Sequence, residues 1–518
     1  MHRVLLASMS ILSGLILSNQ AIGGTDSVAL FNQHCASCHG ADRLGGMGPA
    51  LLPENLKRLR KAQAVKVIAN GRSASQMPAF ADKLQPPQIQ ALADYIYTPL
   101  ARIPVWGMQE IRQSHLIHYQ QDSLSNKPQY PADPLNLFVV VELGDHHATI
   151  LDGDKLVPIH RFKTRFALHG GPKYSPDGRF VYFASRDGWV SKFDMYNLKT
   201  VAEVRAGINT RNIAVSGDGR YVIVGNYLPH SLVLLDARDL RPVKLIPVKN
   251  KTGKTSRVSA VYTATPRNSF IAALKDLPEV WEIYYNDKHE PVYHGLVHDY
   301  QHKEGIEDKS SFPLRRIKLD DYLDDFFFDQ SYTHLIGAAR NAKNGQVINL
   351  NIRRKVAELD LSGLPHLGSG ISWDYQGRAV LATPNLKKSE ISVIDMQTWK
   401  VIKRIKTLGP GFFMRSHEKS PYAWTDVFFG PNREAVHVID KKTLAIVKTL
   451  KPAPGKNAAH VEFDRYGRYV LLSIWDMDGA IIVYDAKSLQ EIKRLPMKKP
   501  SGKYNVYNKI HRSSGTSH

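Results

Sequence analysis

The residues of this chain best suited to chemistry are two cysteines and a histidine that lie close together near the N-terminus. Cys35 and Cys38 are the only cysteines in the sequence, and His39 follows directly. Two thiols at this spacing can form thioethers to the vinyl groups of one porphyrin, while the adjacent imidazole binds the iron. The motif therefore predicts one covalent haem c, with His39 as axial ligand. A reducible cysteine pair is the alternative, but it leaves His39 unexplained.

A second axial ligand for this iron is expected from a turn further along the chain. Met77 lies in a segment punctuated by glycine and proline, before a helix expected near residues 87–97. A thioether ligand raises the potential of haem iron relative to a second imidazole, which suits electron transfer. Met77 is therefore the predicted sixth ligand. Three other residues compete for this role, and they are Met47, His115 and His118.

The elements that position these ligands are expected to form a small helical domain. Residues 24–105 resemble a class I cytochrome c domain, which is all helical. The chain as a whole has 518 residues, of which 43% are hydrophobic and 23% are charged. This is the balance of an ordinary globular protein, and it excludes disordered and fibrous classes. The length predicts two or more domains.

The first residues have the pattern of a secretory signal. Arg3 precedes an apolar run over residues 4–17, and small and polar residues at 19–21 offer a cleavage site. The run is shorter than the ~20 apolar residues that a membrane-spanning helix needs, although an uncleaved anchor remains an alternative. We therefore expect residues 1–23 to be a signal peptide and the mature protein to reside in the periplasm.

The charge of the chain indicates the kind of partner it meets. Lysine and arginine number 69 against 48 acidic residues, which gives a formal charge of +21. Such a balance favours acidic partners, membrane surfaces or anionic small molecules. Export makes DNA an implausible partner, and the sequence holds no nucleic-acid motif. We therefore expect no nucleic acid among the partners.

After residue 104 the sequence becomes a series of short strands separated by turns. Residues 175–179 read SPDGR and residues 216–220 read SGDGR, and related turns begin near residues 373 and 463. A repeat of ~40 residues with four short strands is typical of a β-propeller blade, and about eight such units can be counted. We predict a linker at residues 106–133 and an eight-bladed propeller at 134–518. Closure of such a ring leaves a central cavity for a large planar ligand.

A haem c domain followed by an eight-bladed propeller resembles cytochrome cd1 nitrite reductase and its relatives in haem d1 maturation. The resemblance covers nearly all of the mature chain. It is carried by FALH at residues 166–169, LPHLGSG at 364–370 and PSGKYNVYN at 500–508. It implies a multidomain protein with an all-α cytochrome c domain and an all-β propeller that binds haem d1.

The resemblance also implies roles for two histidines of the propeller. His169 matches the histidine that holds the haem d1 iron on its proximal side, and His366 matches one of two distal histidines. Asp325 stands where the other distal histidine is expected. Nitrite reduction needs proton donors above the iron, so the loss of one imidazole argues against that activity.

The carboxylates of haem d1 are expected to be held less firmly here than in the reductase. Ser369, and Pro172 or Lys173, stand where the reductase has arginines. Fewer bidentate arginine pairs suit a substrate that must leave rather than a resident cofactor. The remaining candidates, each of which could equally be a solvated surface charge, are Arg211, Arg257 and Lys275.

The branch of this family that completes haem d1 is the one that the sequence matches best. In that branch the propionate of dihydro-haem d1 becomes the acrylate of haem d1. Removing two hydrogens requires a base for protons and an acceptor for electrons, and haem c can be that acceptor. The resemblance favours His417, which follows Ser416 at the start of a blade, as the base. Alternatives for the base are Asp325, His366 and Tyr422.

Three functions remain in view at this point. The first is this dehydrogenase, the second a nitrite reductase with an altered distal pocket, and the third a non-catalytic haem d1 carrier or assembly factor. A carrier alone would not need a redox haem, so the haem-attachment motif argues against it. Expected partners are dihydro-haem d1, cytochrome cd1 nitrite reductase as receiver of haem d1, and other haem d1 maturation proteins.

Overall fold

A computed structural model describes residues 26–511, except for residues 47, 57–58, 72–76, 103, 167, 169–170, 295–305, 339–343 and 362. The predicted signal peptide, residues 1–23, lies outside the described residues. Within the described part, none of the helices has the length and apolar character needed to cross a membrane.

The N-terminal region is helical, as the sequence predicts. The helices of the chain are α1 Ser27–His34, α2 Ala36–His39, α3 Pro53–Leu56, α4 Lys61–Asn70, α5 Pro86–Ile96, α6 Met108–Gln113 and α7 Val506–His511. Asp26 begins α1 by accepting the backbone N–H groups of Val28 and Ala29. Helices α1, α4 and α5 bury Phe31, Ile68 and Leu92 in one apolar core. This core holds the haem-attachment motif of α2 against the longer helices.

The rest of the chain consists almost entirely of short strands. The first half of them are β1 Leu116–Ile117, β2 Leu137–Glu142, β3 His147–Asp152, β4 Val157–Lys163, β5 Lys173–Tyr174, β6 Phe180–Ala184, β7 Trp189–Asp194, β8 Lys199–Arg205, β9 Asn209–Val215, β10 Tyr221–Leu228, β11 Ser231–Asp236, β12 Pro242–Pro247, β13 Val258–Ala264, β14 Ser269–Leu274, β15 Glu279–Tyr284, β16 Tyr293–His294, β17 Ile306–Glu307 and β18 Leu314–Lys318. The second half are β19 Asp325–Phe328, β20 His334–Ala338, β21 Gly345–Asn349, β22 Arg354–Leu359, β23 Ile371–Tyr375, β24 Arg378–Pro384, β25 Glu390–Asp395, β26 Lys400–Lys406, β27 Met414–Ser416, β28 Tyr422–Asp426, β29 Val436–Asp440, β30 Ala445–Leu450, β31 Ala458–Phe463, β32 Tyr469–Ile474, β33 Gly479–Asp485, β34 Glu491–Met497 and β35 Pro500–Asn505.

These strands form eight blades, which confirms the predicted propeller. Seven blades follow the chain order, with innermost strands β5, β9, β13, β19, β23, β27 and β31. The remaining blade joins β35 to β2, β3 and β4, so that Asn505 near the end of the chain pairs with Phe138. This pairing closes the ring, because one blade is completed by strands from both ends of the propeller segment, and the blades keep only short, protected edges. A two-stranded ribbon, β16 with β17, interrupts the blade between β15 and β18.

The segment predicted as a linker contacts the propeller along part of its length. Leu116 and Ile117 of β1 pair with Glu203 and Ala202 and add a fifth strand to the blade that begins with β5. Helix α6 buries Ile111 in the core that this blade shares with the next one.

Apolar residues from neighbouring blades pack against each other and form the propeller core. One such cluster contains Val190, Val204, Val222 and Val233, which come from two successive blades. In each blade a repeated polar turn connects the innermost strand to the second strand. These turns lie at one end of the ring. The innermost strands therefore all begin at the other end, where their first residues converge on the central axis.

Candidate functional site

A cavity lies on the central axis at the end where the innermost strands begin. It encloses about 1230 Å³ of space between protein atoms, including its mouth. The part of it that water-sized molecules can occupy is about 260 Å³, just below the ~300–1,000 Å³ of typical ligand pockets. Its polar and charged lining residues are Lys173, Arg211, Asn212, Tyr262, Asp325, His366, Ser369, Arg415, His460, Ser501, Tyr504 and Lys509, and its aromatic ones include Phe183, Phe412, Phe413 and Trp475.

His366 lines this cavity with its ring orientation fixed. Its Nδ1 donates a hydrogen bond of 2.7 Å to the carbonyl of Phe412, and the two rings pack with centroids 4.3 Å apart. Burial lowers the pKa of His366, which keeps the imidazole neutral. Its Nε2 therefore retains a lone pair, the arrangement found in histidines that bind metals. This geometry suits an iron ligand at the position that the sequence predicts.

His460 reaches the same cavity from a bulge in β31. The register of β31 against β32 shifts between Ala459 and Val461, so His460 is the extra residue, and its φ is 54°. A bulge re-aims a side chain, and such backbone conformations are concentrated at functional sites. Burial, followed by the charges of Lys503 and Arg415, lowers the pKa of His460 well below its usual value. The imidazole is therefore neutral.

The ring of His460 is placed to take part in proton transfer. Its side chain is buried, and among the described residues none forms a hydrogen bond with its Nδ1. The backbone on either side is held firmly, because the N–H of His460 donates to Asp426 Oδ2 at 3.2 Å and Lys503 donates to its carbonyl. A neutral, buried and unbonded ring nitrogen beside a ligand cavity can act as a general base.

Two aromatic side chains connect His460 to the rest of the cavity. The ring of Tyr504 lies edge-on at 5.0 Å from His460, and Phe413 lies 4.7 Å from His460 and 6.2 Å from His366. Burial raises the pKa of Tyr504 to about 12, so its phenol stays protonated. Gly171 makes room for this ring, because a methyl group there would come within 3.0 Å of it.

Positive charge lines the cavity on several sides. Arg211 extends from β9 and donates through Nε to the carbonyl of Ser259 at 2.9 Å. Arg415, on β27, donates through Nη1 to the carbonyl of Met414 at 2.9 Å. Burial lowers the pKa of Lys173 to about 8. These cations can pair with carboxylates of a bound ligand.

Asp325 is the acidic group among the lining residues. Tyr262 donates its hydroxyl to Asp325 Oδ1 at 2.9 Å, and the N–H of Phe326 donates to the same oxygen at 2.9 Å. The resemblance to the reductase implies that this carboxylate stands where that enzyme has its second distal imidazole. A carboxylate that already accepts two hydrogen bonds is a poorer proton donor than an imidazolium.

Two of the predicted carboxylate partners do not line this cavity. Lys275 donates to Asp324 Oδ1 at 2.6 Å, and Arg257 forms an ion pair of 2.5 Å with Asp276. Of the three cationic candidates, the structure therefore brings only Arg211 to the cavity. The sequence could not separate the three, because an intramolecular partner is set by the approach of strands distant in the chain.

His417, the predicted base, does not line this cavity in the structure. It follows β27, whereas the cavity is lined by Phe412, Phe413 and Arg415 at the beginning of that strand. His417 is 1% exposed, and both of its ring nitrogens are engaged. Nε2 donates to the carbonyl of Arg465 at 3.2 Å, and Nδ1 accepts the N–H of Lys419 at 3.1 Å. It holds two turns together at the opposite end of the blade.

His169, the other predicted iron ligand of the propeller, lies outside the described residues. Its neighbours Leu168 and Gly171 both line the cavity. Tyr422, an alternative candidate for the base, is not among the lining residues of this cavity.

The surroundings of the Cys35 and Cys38 motif fit a covalent haem. The Nδ1 of His39 donates to the carbonyl of Pro49 at 2.8 Å, which leaves Nε2 to bind iron. Gly48 lies against this ring, and a methyl group there would come within 2.8 Å of Cε1. Both thiols are free and half-buried. Burial also lowers the pKa of His39, which keeps the ligand nitrogen unprotonated.

The candidates for the sixth ligand are separated by their surroundings. Met77 is half-buried and packs against the helical core that contains Phe31. Met47 lies outside the described residues. His115 donates to the carbonyl of Asp239 at 2.7 Å, and His118 lies 3.1 Å from Glu203, so both contact the propeller. These two contacts argue for Met77 over the histidines.

The loop that follows the haem motif packs directly on the propeller. Arg205, at the end of β8, donates to the carbonyl of Leu44 at 2.5 Å and stacks on Trp106 at 4.6 Å. Ala50 and Leu52 of the same loop are buried against Ile208. Residues 205–212 therefore lead from this interface to Arg211 and Asn212 in the cavity.

The sequence does not single out His460 or Tyr504. A histidine within the apolar strand β31 and a tyrosine in the last strand both look like ordinary core residues. The available signal was that His460 falls on an innermost strand, where a polar side chain faces the axis. The bulge that directs it inward has no clear mark in the sequence.

Comparison with known proteins agrees with this arrangement. Residues 132–509 match the family described as cytochrome D1 heme domain, and residues 24–96 match the family described as cytochrome C oxidase, cbb3-type, subunit III. The chain is 57% identical over 507 residues to the dihydro-heme d1 dehydrogenase of Pseudomonas aeruginosa, with 98% of each chain covered. It is 26% identical over 535 residues to the nitrite reductase of Stutzerimonas stutzeri, with 93% of this chain and 92% of that protein covered.

A solved structure has the same architecture. It is described as dihydro-heme d1 dehydrogenase NirN in complex with DHE, and it superposes with a TM-score of 0.86 at 57% identity. The match covers 93% of this chain and 99% of the other.

Proposed function

Because this chain belongs to the cytochrome d1 haem domain family, and within it to the dihydro-haem d1 dehydrogenases, we propose that it converts the propionate of dihydro-haem d1 to the acrylate of haem d1. The reaction turns one CH2–CH2 unit into CH=CH and releases two protons and two electrons. The chain is an oxidoreductase, and haem c supplies one-electron transfer when bound. Both electrons leave the protein one at a time, to an external acceptor.

The observation that carries this proposal is that His366 and His460 line the same cavity. His366 keeps Nε2 for the iron of the substrate, with His169 proposed as the opposite ligand. His460 has an unbonded ring nitrogen beside Phe413, the ring that also contacts His366. We assign His460 as the base that accepts a proton from the propionate side chain, with Tyr504 positioning that side chain. Arg211 and Arg415 pair with carboxylates of the macrocycle.

Electrons are proposed to pass from the cavity to the helical domain through the contact at Arg205. Residues 205–212 join the cavity to the loop that holds His39 through Pro49. This route consists of the backbone of residues 205–212 and one hydrogen bond to the loop that follows the haem motif. The predicted pair of haem ligands, an imidazole from His39 and a thioether from Met77, suits an electron-transfer haem.

Mixing the mature protein with dihydro-haem d1 tests the function directly. With the protein in excess, we expect an immediate spectral shift from iron ligation, then the slower change to the acrylate-conjugated spectrum, with two haem c groups reduced for each dihydro-haem d1 oxidised. Binding without either later change would contradict the dehydrogenase assignment and favour a carrier. Nitrite consumption by protein loaded with haem d1 serves as the second measurement. We expect it to be poor, since Asp325 replaces a distal imidazole.

The proposed setting of this reaction is the periplasm, after removal of residues 1–23. The finished haem d1 is proposed to pass to cytochrome cd1 nitrite reductase, with other haem d1 maturation proteins supplying the precursor. Fractionation of cells and N-terminal sequencing of the mature protein test the location.

A further inference from the structure

A second cavity lies on the same axis, on the other side of a layer of buried side chains. It encloses about 1580 Å³, including its opening, and it is lined by strand residues and by the C-terminal helix α7. Four residues line both cavities, and they are Pro172, Lys173, Tyr262 and Lys509. The two cavities are therefore separated by single side chains rather than by a packed core.

Lys509 connects the site of the proposed base to this second cavity. Its Nζ lies 5.5 Å from the ring centre of Tyr504, and Tyr504 lies 5.0 Å from the ring of His460. On the other side, α7 continues to Ile510 and His511, which line the second cavity, and His511 is exposed. A path of side chains thus runs from His460 to solvent away from the ligand.

The proposed reaction creates a need for such a path. Each turnover releases two protons, whereas His460 can hold only one on its free nitrogen. A bound macrocycle would cover the first cavity, so protons must leave by another direction. We propose that Lys509 relays protons from His460 to the second cavity, past Tyr504 and through bridging water. This inference rests on the proposed function and adds an exit route to it.

The step requires no oxidant or reductant of its own. The neutral amine of Lys509 takes a proton from protonated His460 through water and becomes an ammonium group. It then gives that proton to water in the second cavity, which restores both groups. Water-mediated hydrogen bonds are suited to distances beyond direct contact, such as those around Tyr504.

The surroundings of Lys509 favour a neutral amine. Burial, and then the charge of Arg415, lower its pKa well below the usual value, and Lys173 acts in the same direction. Glu462 opposes this shift. Tyr504 and His460 lie on the side of the first cavity, and both are neutral. A larger share of this amine is therefore neutral, and able to accept a proton, than in an ordinary lysine.

Substitutions of Lys509 in the mature protein, with haem c attached, test the relay. Lys509→Met removes the titratable amine, whereas Lys509→Arg introduces a permanently charged group that cannot deprotonate. We expect both variants to bind dihydro-haem d1 with the wild-type spectral shift. Both should reduce haem c about 10²-fold more slowly in a single turnover, because a proton-transfer group is lost. Lys487→Met, in an exposed turn, is the matched control and should behave as wild type.

Chemical rescue distinguishes proton transfer from a structural role. In Lys509→Ala, added methylamine should restore the rate of haem c reduction in proportion to the concentration of neutral methylamine. Methylamine should not change this rate in Lys487→Ala. In Lys509→Ala without methylamine, a pH indicator should show that proton release is delayed together with haem c reduction. Wild-type rates in Lys509→Arg, or a slow Lys509→Ala that methylamine does not rescue, would overturn the relay. Wild-type protein that binds the substrate without oxidising it would instead refute the proposed function.

Discussion

Two histidines of the central cavity differ in which ring nitrogen is available. His366 has Nδ1 bound to a backbone carbonyl and so offers Nε2, whereas His460 offers an unbonded Nδ1. Both are neutral because burial lowers the pKa of each. One nitrogen is suited to iron and the other to a proton, and this division follows from hydrogen bonding alone.

Substituting His460 and His417 separately distinguishes the two candidates for the base. His460→Gln should bind dihydro-haem d1 normally and oxidise it ~10²–10⁴-fold more slowly, since a positioned base is removed. His417→Gln should oxidise it at close to the wild-type rate, because His417 does not line the cavity. Stopped-flow spectra of the binding and oxidation phases provide the measurement. The reverse outcome would restore His417 as the base.

Met77 can be tested through the potential of haem c. Met77→His should keep the haem attached but lower its midpoint potential, because an imidazole replaces the thioether. Potentiometric titration gives the potential, and a pyridine haemochrome assay confirms one attached haem. Met477→His, at a half-exposed position of the propeller, is the control. An unchanged potential in Met77→His would direct attention to Met47.

At the scale of elements, Asp426 joins the loop before β27 to the bulge of β31. One carboxylate oxygen accepts the N–H groups of Phe412 at 2.7 Å and Phe413 at 3.1 Å, and the other accepts that of His460. The rings that contact the two cavity histidines are therefore held by a single buried side chain. Burial raises the pKa of Asp426 to about 6, although the backbone N–H groups oppose this shift.

The raised pKa of Asp426 predicts how stability depends on pH. Between about pH 4 and pH 6 the folded protein holds a proton on Asp426 that the unfolded chain has lost. The free energy of unfolding should therefore fall as pH rises through this range. Asp426→Asn lacks this titrating group. The difference in the free energy of unfolding between variant and wild type should therefore change between pH 4 and pH 6. Urea unfolding followed by tryptophan fluorescence measures it.

Asp440, in the same blade, is the control for this pH dependence. It also accepts backbone N–H groups, from Lys442 and Thr443, and these lower its pKa even though burial opposes them. Its contribution to stability is present at higher pH and is lost as pH falls below its usual pKa. The difference in the free energy of unfolding between Asp440→Asn and wild type should therefore stay constant between pH 4 and pH 6. A pH-independent difference for Asp426→Asn would contradict the assignment.

The blades were predictable from sequence, whereas the site within them was only partly so. The turn at residues 216–220 repeats along the chain because each blade needs the same tight reversal: Ser216 donates to Asp218 at 2.6 Å, and Gly219 has a φ of 73°. Such local chemistry is visible in one sequence. His460 instead depends on a one-residue shift between two strands, and a shift of that kind exchanges inward and outward faces.

At the scale of the whole molecule, contacts between the helical domain and the propeller are described around Arg205 and Ile208. Arg205 bonds to the loop that follows the haem motif, and the indole N–H of Trp106 donates to the carbonyl of Arg205 at 2.9 Å. Asp187 is buried beside this contact, and its carbonyl accepts Nε of Arg205 at 2.8 Å. The interface fixes the haem loop on the blade that leads to Arg211.

Arg205→Ala should slow electron transfer between the two domains without changing either site. We expect the binding spectrum of dihydro-haem d1 and the potential of haem c to be unchanged. The reduction of haem c in a single turnover should slow by about 10- to 10²-fold, because small displacements of reacting groups are costly. Arg404→Ala, which removes an exposed ion pair with Asp360, is the control. Equal rates in the two variants would exclude this route.

The charge of the whole chain bears on transfer of the finished cofactor. With 69 basic and 48 acidic residues, the chain carries a formal charge of +21, which should attract an acidic receiver before any specific contact forms. We expect association with cytochrome cd1 nitrite reductase to weaken as salt rises, because screening at ~0.15 M salt limits such attraction to ~8 Å. The association rate should fall more steeply than the dissociation rate rises, since long-range charge acts mainly on encounter. Surface plasmon resonance at several salt concentrations measures both rates. Binding that does not change with salt would show that the positive charge of the chain plays no part in the transfer.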